Sequence, residues 1–125
     1  MVNHQIIDDD RSTTLSIEDL VALRENLHEQ RLFRQEQLQQ LSAAATIRTD
    51  ALRAQQTASQ LEVRVKLTAS ARMVLADVEA ALTRMDQGRY GTCHLCRGPI
   101  SRERLVIVPQ ARYCAQCQQV REASR

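Results

Sequence analysis

Residues 93–117 read CHLCRGPISRERLVIVPQARYCAQC, and the cysteines in this stretch decide how the C-terminal part of the chain folds. They form two Cys-x-x-Cys pairs separated by seventeen residues: Cys93 and Cys96, then Cys114 and Cys117. Each pair can direct two thiolates at one ion, and two pairs complete a tetrahedral set of sulfur ligands. The pattern predicts one structural Zn²⁺, with no coordination position open for water or substrate.

The four cysteines allow two other interpretations. A disulfide or redox role is disfavoured because no βαβ pattern surrounds either pair. The N-terminal residues also lack the basic start and apolar run of a secretory signal, and no stretch approaches the ~18 apolar residues of a membrane span. We therefore expect a cytoplasmic protein, in which reducing conditions favour metal over disulfide. His94 could replace a cysteine as ligand, although its position between two cysteines favours a surface side chain.

The rest of the chain is predicted to be helical. All its glycines and prolines lie at or beyond residue 88, so the first 87 residues contain neither of the residues that punctuate β-sheet turns. Aromatic residues make up only 2% of the chain, which is little for the core of a sandwich or a doubly wound sheet. The fold class expected from these features is mostly α.

Two long helices account for the segment before Gly88. The first is predicted over about 17–46, behind a weak capping box that begins at Ser16, and the second begins with a Ser59–Glu62 capping box and ends at Gly88. Each carries one apolar stripe at spacings of mostly three or four residues. The stripes are Leu20, Leu23, Leu27, Leu38, Leu41 and Ala45 in the first helix, and Leu67, Ala71, Val74, Val78, Leu82 and Met85 in the second.

These narrow stripes of leucine and alanine suit the seam of an antiparallel coiled-coil hairpin. We define residues 16–88 as the arm, with its tip near 46–58, where threonine and aspartate favour a reversal without glycine. A single uninterrupted helix that dimerises is the alternative. Residues 1–15 are predicted to be a polar tail.

Residues 89–125 are predicted to form a small Cys₄ zinc-finger domain, which we call the finger. Its segment Arg104–Pro109 is rich in β-branched residues and is expected to be a short strand or a hairpin arm. Residues 115–125 are expected to form a short final helix.

Charge is distributed unevenly although the net charge is only +2. The first 30 residues are acidic and the finger is rich in arginine. This distribution is typical of a protein whose partner has an anionic surface, or of a basic face that only contacts solvent. The candidate partner-binding residues of the finger are Arg97, Arg102, Arg104 and Arg112. No nucleophile elbow, phosphate loop or His-Glu-x-x-His motif occurs in the sequence, so an enzyme is not expected.

A longer set of spaced residues surrounds the cysteines. It comprises Ala81-Leu82-x-Arg84-Met85, Gly88-x-Tyr90-Gly91-x-Cys93-x-x-Cys96, Ile100, Arg104-Leu105 and Pro109-x-Ala111-x-x-Cys114-x-x-Cys117. This set resembles the zinc-finger signature of the DksA/TraR family over about residues 80–118. The arm agrees with that family in architecture only.

The resemblance implies a transcription regulator that binds RNA polymerase directly and not promoter DNA. In this family the zinc finger sits at the rim of the secondary channel of the polymerase, and the coiled-coil arm reaches toward the active centre. The best-known members carry Asp-x-x-Asp-x-Ala at the arm tip, which a gap-free count from Cys93 places on Asp50, Arg53 and Gln55. Only Asp50 matches, and Arg53 reverses the second charge, so the regulatory effect is expected to differ or to be lost.

Two departures from the family pattern fall in the finger. The usual glycine after the second cysteine is Arg97, with Gly98 one place later, which raises the question of an altered first turn. The basic residue that helps well-studied members hold guanosine tetraphosphate is Val108 here, so dependence on that nucleotide is doubtful.

These features are compatible with three functions. The leading hypothesis is a regulator bound at the secondary channel of RNA polymerase. The alternatives are a zinc-stabilised coiled-coil interaction module with a different partner, and an arginine-rich zinc ribbon that binds nucleic acid through phosphate contacts.

Overall fold

The computed structural model describes residues 15–47 and 57–124. Within them the chain forms two long helices, a compact turn region and two short helices, in the order α1 (Ile17–Ile47), α2 (Ala58–Asp86), α3 (Arg102–Ile107) and α4 (Ala115–Ala123). The predicted tip residues Asp50 and Arg53, and the predicted tail up to residue 14, lie outside the described residues. The mostly α fold is confirmed.

Helix α1 begins where the sequence predicts. The backbone N–H of Asp19 donates to the Ser16 hydroxyl at 3.0 Å, and the N–H of Ser16 donates to the Asp19 carboxylate at 3.0 Å. This reciprocal pair satisfies two N–H groups that a helix start otherwise leaves unpaired.

Helix α2 begins earlier than the predicted Ser59–Glu62 box, and that prediction is wrong. The cap is Thr57, whose hydroxyl accepts from the N–H of Gln60 at 3.0 Å while the Gln60 side chain accepts from the N–H of Thr57 at 3.1 Å. A glutamine three residues after a cap can reach back as well as a glutamate, so this box starts the helix two residues earlier than the predicted one.

The end of α2 agrees with the prediction of Gly88 as the stop. Gly88 has φ +72°, its N–H donates to the carbonyl of Met85, and the N–H of Arg89 donates to the carbonyl of Arg84 at 2.8 Å. These two bonds form a Schellman motif. The motif needs one residue in the left-handed backbone conformation, which glycine adopts without steric cost.

Helices α1 and α2 pair antiparallel within one chain, as the hairpin prediction requires. Near the finger, Leu27 of α1 packs with Val78, Ala81 and Leu82 of α2, and all four side chains are buried. Farther along the arm, Leu38 and Leu41 face a cavity shared with Val65 and Ala69 of α2. Residue numbers therefore rise along α1 as they fall along α2. Each helix is about 45 Å long at ~1.5 Å per residue.

The arm is joined to the finger by shared packing. A second buried cluster combines Leu23 of α1 with residues of the finger, namely Cys93, Ile100, Leu105 and Ala111. Met85 and Tyr90 pack against both clusters, and the Tyr90 hydroxyl donates to the carbonyl of Pro109 at 2.8 Å. Burial raises the pKa of Tyr90 to about 12, so this hydroxyl stays protonated at neutral pH. The two clusters thus form one continuous core.

The segment Arg104–Pro109 is not a strand, and that prediction is wrong. It lies mostly in helix α3, whose N-cap Ser101 accepts from the N–H of Arg104 at 3.2 Å. Leu105 is completely buried, whereas Val106 and Ile107 are exposed, so packing of one leucine overrides the β propensity of its neighbours. Helix α3 ends just before Pro109, because proline disfavours helical geometry in the residue that precedes it.

Helix α3 is tied to the start of α1 by an ion pair. The Arg102 guanidinium donates to both carboxylate oxygens of Asp19, at 3.0 and 3.1 Å. No helix in the described residues is long and apolar enough to cross a membrane.

The buried seam gives a first prediction. Leu27→Asp places an unpaired carboxylate in a fully buried site, so we expect it to lower the free energy of unfolding by at least about 3 kcal/mol. The matched control is Leu32→Asp on the exposed side of α1, where a change of within about 0.5 kcal/mol is expected. Urea unfolding followed by circular dichroism measures both, and equal effects of the two substitutions would contradict the seam.

The Asp19–Arg102 pair gives a prediction about pH. The hydrogen bond from Arg102, followed by that from the Ser16 backbone, lowers the pKa of Asp19 to about 2. Because the folded pKa lies below the ordinary value of 3.8, the stabilisation is complete above about pH 4 and is lost as the pH falls toward 2. We expect Arg102→Gln to raise the Asp19 pKa in a carboxyl ¹³C NMR titration. The control Arg24→Gln, which removes the exposed pair with Asp86, should leave the Asp19 pKa unchanged. An Asp19 pKa that does not respond to Arg102→Gln would contradict the assignment.

Candidate metal centre

The structure brings the four cysteine thiols to one point. The sulfur atoms of Cys93, Cys96, Cys114 and Cys117 all lie within 4.8 Å of one another, and all four are free thiols. The Sγ atoms of Cys96 and Cys114 are 3.9 Å apart. Four sulfurs at about 2.3 Å from one ion in a tetrahedron would be separated by about 3.8 Å. The spacing therefore fits a single tetrahedral Zn²⁺.

The first pair lies in a tight turn. Thr92 and Pro99 form an antiparallel bridge, within which the N–H of Cys93 donates to the carbonyl of Gly98 at 2.8 Å. Inside the turn, the N–H of Gly98 points at the sulfur of Cys96 at 3.4 Å. This backbone arrangement turns both thiols of the pair to the same side.

Arg97 occupies the position in this turn that requires left-handed backbone. Its φ is +64°, and its N–H donates to the carbonyl of Cys93 at 3.0 Å. A side chain in this conformation costs ~1–2 kcal/mol relative to glycine. Arg97 therefore supplies the left-handed residue of the first knuckle, the turn that holds Cys93 and Cys96, and it carries the strain of that conformation.

The second pair forms the first turn of helix α4. Cys114 is the N-cap residue, and its sulfur accepts from the N–H of Cys117 at 3.5 Å. A helix N-terminus presents unpaired N–H groups and a positive dipole end, both of which stabilise a thiolate. The two cysteines follow each other by one turn, so their side chains lie on the same side of the helix.

The thiols influence one another's protonation. Burial raises the pKa of Cys93, but hydrogen bonds from the backbone of Cys114, Cys96 and Leu95 outweigh it and bring the pKa to about 6. The pKa of Cys117 is raised to about 12, first by its hydrogen bond with Cys114 and then by burial. Four thiolates at these distances repel, so only a cation in their midst allows all four to ionise.

His94 is not among the residues that converge on this point. Its side chain is exposed, and its ring lies edge-on to Tyr113 with 6.0 Å between centroids. Its backbone N–H donates to the carbonyl of Arg112 at 2.8 Å. This bond ties the turn that holds Cys93 and Cys96 to the segment that leads into the second cysteine pair.

The four arginines predicted for partner binding occupy different environments. Arg102 pairs with Asp19, as described above. Arg104 donates to the carbonyl of Tyr113 at 2.8 Å, and Arg112 pairs with Asp77 of α2 at 2.9 Å. Three of the four therefore hold the finger together or hold it to the arm. Arg97 is exposed and lines a cavity of about 440 Å³ between the end of α2 and the first knuckle.

Sequence reasoning missed the importance of Arg84 in this region. Its side chain is only 5% exposed, at the C-terminal end of α2, and it lines the same cavity. The two-helix stripe gave no signal for it, because Arg84 faces the finger and not α1. A signal was present in the matched segment Ala81-Leu82-x-Arg84-Met85, where arginine stands among residues that become buried.

Metal removal gives a prediction for the centre. We expect Cys114→Ser, or treatment with a strong chelator, to lower zinc content well below one ion per chain and to unfold the finger, because metal binding supplies folding free energy that the finger's small core lacks. The arm should keep most of its helical signal. The matched control His94→Ala should retain about one zinc per chain. Zinc analysis and ¹H–¹⁵N spectra report both outcomes, and unchanged finger resonances in Cys114→Ser would contradict a structural metal.

Comparison with known proteins agrees with this geometry. Residues 88–123 match the prokaryotic dksA/traR C4-type zinc finger. An uncharacterized protein of Aquifex aeolicus (strain VF5) is 40% identical over 43 residues, which are 34% of this chain and 30% of that protein, so the match spans less than a third of that relative.

A solved structure shares the whole architecture. The transcription factor DksA2 from Pseudomonas aeruginosa superposes with a TM-score of 0.71 over 97% of this chain and 95% of its own length, at 21% identity. Zinc as the cofactor is supported by a matched domain that is itself a C4-type zinc finger. The resemblance found in the sequence is therefore confirmed for the finger: residues 88–123 match the dksA/traR C4-type zinc finger, and the fold of the chain is similar to that of DksA2.

Proposed function

We propose that this chain is a transcription regulator that binds RNA polymerase directly, with the finger at the rim of the secondary channel and the arm directed toward the active centre. The observation that carries the proposal is the union of a family zinc finger with a long antiparallel arm in one continuous core. A finger alone would be compatible with many partners, whereas this combination matches a complete DksA fold.

The arm is built to hold its direction relative to the finger. Tyr90 and Met85 pack on both core clusters, and the Arg112–Asp77 pair links the finger to α2 two and a half turns before that helix ends. Two paired helices of about 45 Å can carry a tip deep into a channel that a flexible loop would enter only at a large entropy cost.

The site assignments follow from this mode of binding. Cys93, Cys96, Cys114 and Cys117 hold one Zn²⁺ that fixes the finger. Asp50 and Arg53 act at the arm tip, where Arg53 brings positive charge to a position that is acidic in the best-known members of the family. Of the four arginines predicted for the finger surface, Arg97 is the best candidate for a partner contact, because the other three are engaged within the chain.

Site-specific crosslinking tests the proposal. Photoreactive residues at positions 50 and 53 should crosslink within the secondary channel of RNA polymerase, and another factor that binds in the secondary channel should compete. A photoreactive residue at Glu122, exposed on α4, is the control and should not crosslink inside the channel. Crosslinks from the tip to another protein would favour a different partner.

The Leu27→Asp variant sharpens this test. Because it opens the seam of the arm without touching the finger's cysteines, it should retain zinc and yet lose the crosslinks from the tip. Failure of the wild-type chain to associate with RNA polymerase would overturn the proposal, and salt-sensitive binding to DNA alone would instead support a nucleic-acid ribbon.

A further inference from the structure

Met85 lies at the joint between the arm and the finger. Together with Tyr90 it packs against both buried clusters, the one in the seam of the arm and the one that includes the finger. Its carbonyl also accepts from the N–H of Gly88 at 3.1 Å, in the motif that ends α2. Packing of this one side chain therefore helps to fix the direction of the arm relative to the finger.

The Met85 side chain is not sealed inside the core. It is half-buried and lines a cavity of about 230 Å³ between the start of α1 and the end of α2. Ile17 and Val21 line the same cavity and are 80% and 55% exposed, so the cavity opens at the surface. A small solute can thus reach the Met85 side chain while the chain stays folded.

The cavity has few groups that could accept a new polar neighbour. Among the described residues that line it, only Arg24 and Tyr90 carry side-chain hydrogen-bond donors. The Arg24 guanidinium pairs with Asp86 at 3.1 Å, and the Tyr90 hydroxyl donates to the carbonyl of Pro109 at 2.8 Å. An oxygen atom added to Met85 would therefore find its hydrogen bonds most readily in solvent, away from the two clusters.

We propose that Met85 is an oxidation site, at which a peroxide converts the thioether to a sulfoxide and loosens the joint between the finger and the arm. The sulfur lone pair attacks one oxygen of hydrogen peroxide, the O–O bond breaks and an S–O bond forms. The sulfur loses two electrons, and the other peroxide oxygen leaves as water after proton transfer. The apolar side chain becomes polar, and a sulfoxide in a packed core disrupts that core.

Met73 provides a comparison within the same helix. It is 67% exposed and packs against neither cluster. We expect Met73 to react faster with peroxide, because its side chain is more accessible, but without effect on the joint. Of these two methionines, only Met85 connects oxidation to the packing of the arm on the finger.

Treatment of the zinc-loaded full chain with hydrogen peroxide tests this proposal. Peptide mass spectrometry should find sulfoxide first at Met73 and then at Met85, without denaturant. Hydrogen exchange of the amide of Leu82, which is buried in the seam, should become about tenfold faster once Met85 is oxidised. Met85→Leu keeps a similar apolar volume without the sulfur and should not show this acceleration. The matched control Met73→Leu should respond to peroxide like the wild type.

The cysteine thiols also react with peroxide, and repair separates their effect from that of Met85. Dithiothreitol with added zinc restores oxidised cysteines, whereas the sulfoxide is reduced only when methionine sulfoxide reductases A and B are added. We expect slow exchange at Leu82 to return with the reductases and not with dithiothreitol alone.

Four results would overturn the proposal. They are a Met85 that stays unoxidised while Met73 reacts completely, exchange at Leu82 that ignores the Met85 sulfoxide, full recovery with dithiothreitol alone, and acceleration that persists in Met85→Leu. All measurements use the free chain, so their outcome is independent of polymerase binding.

Discussion

Four sulfur atoms confined within 4.8 Å of one another are the constraint on which the finger depends. Four thiolates this close repel one another, so all four can ionise together only around a cation, and a tetrahedral Zn²⁺ fits the spacing. The finger has few other means of holding its shape: its buried cluster contains Ile100, Leu105 and Ala111 alongside Cys93 itself. The metal thus performs in the finger the task that a larger hydrophobic core performs in an ordinary domain.

The arm extends this organisation outward. Tyr90 belongs to the finger in sequence but packs on the seam of the arm, and its hydroxyl is fixed by the carbonyl of Pro109. Ion pairs repeat the connection on two sides, from Arg102 to α1 and from Arg112 to α2. Loss of order in the finger would therefore reach the base of the arm, and the direction of the tip depends indirectly on the metal.

Much of this architecture could be predicted from the sequence because it rests on local, strongly periodic signals. The Cys-x-x-Cys pairs indicated the metal, the absence of glycine and proline indicated helix, and Gly88 marked the end of α2. Helix α3 could not be predicted in this way: its β-branched residues suggest a strand, and only the tertiary burial of Leu105 explains the helix. Arg84 was not predicted for a related reason. The apolar stripes that pair the two long helices give no sign of a helix face that packs against a third element.

X-ray absorption spectroscopy at the zinc edge on freshly purified protein measures the central constraint most directly. We expect one zinc per chain with a first shell of four sulfur atoms at about 2.3 Å and no nitrogen or oxygen ligand. A first shell with mixed sulfur and nitrogen ligands, or a chain that is fully folded without zinc, would contradict the account.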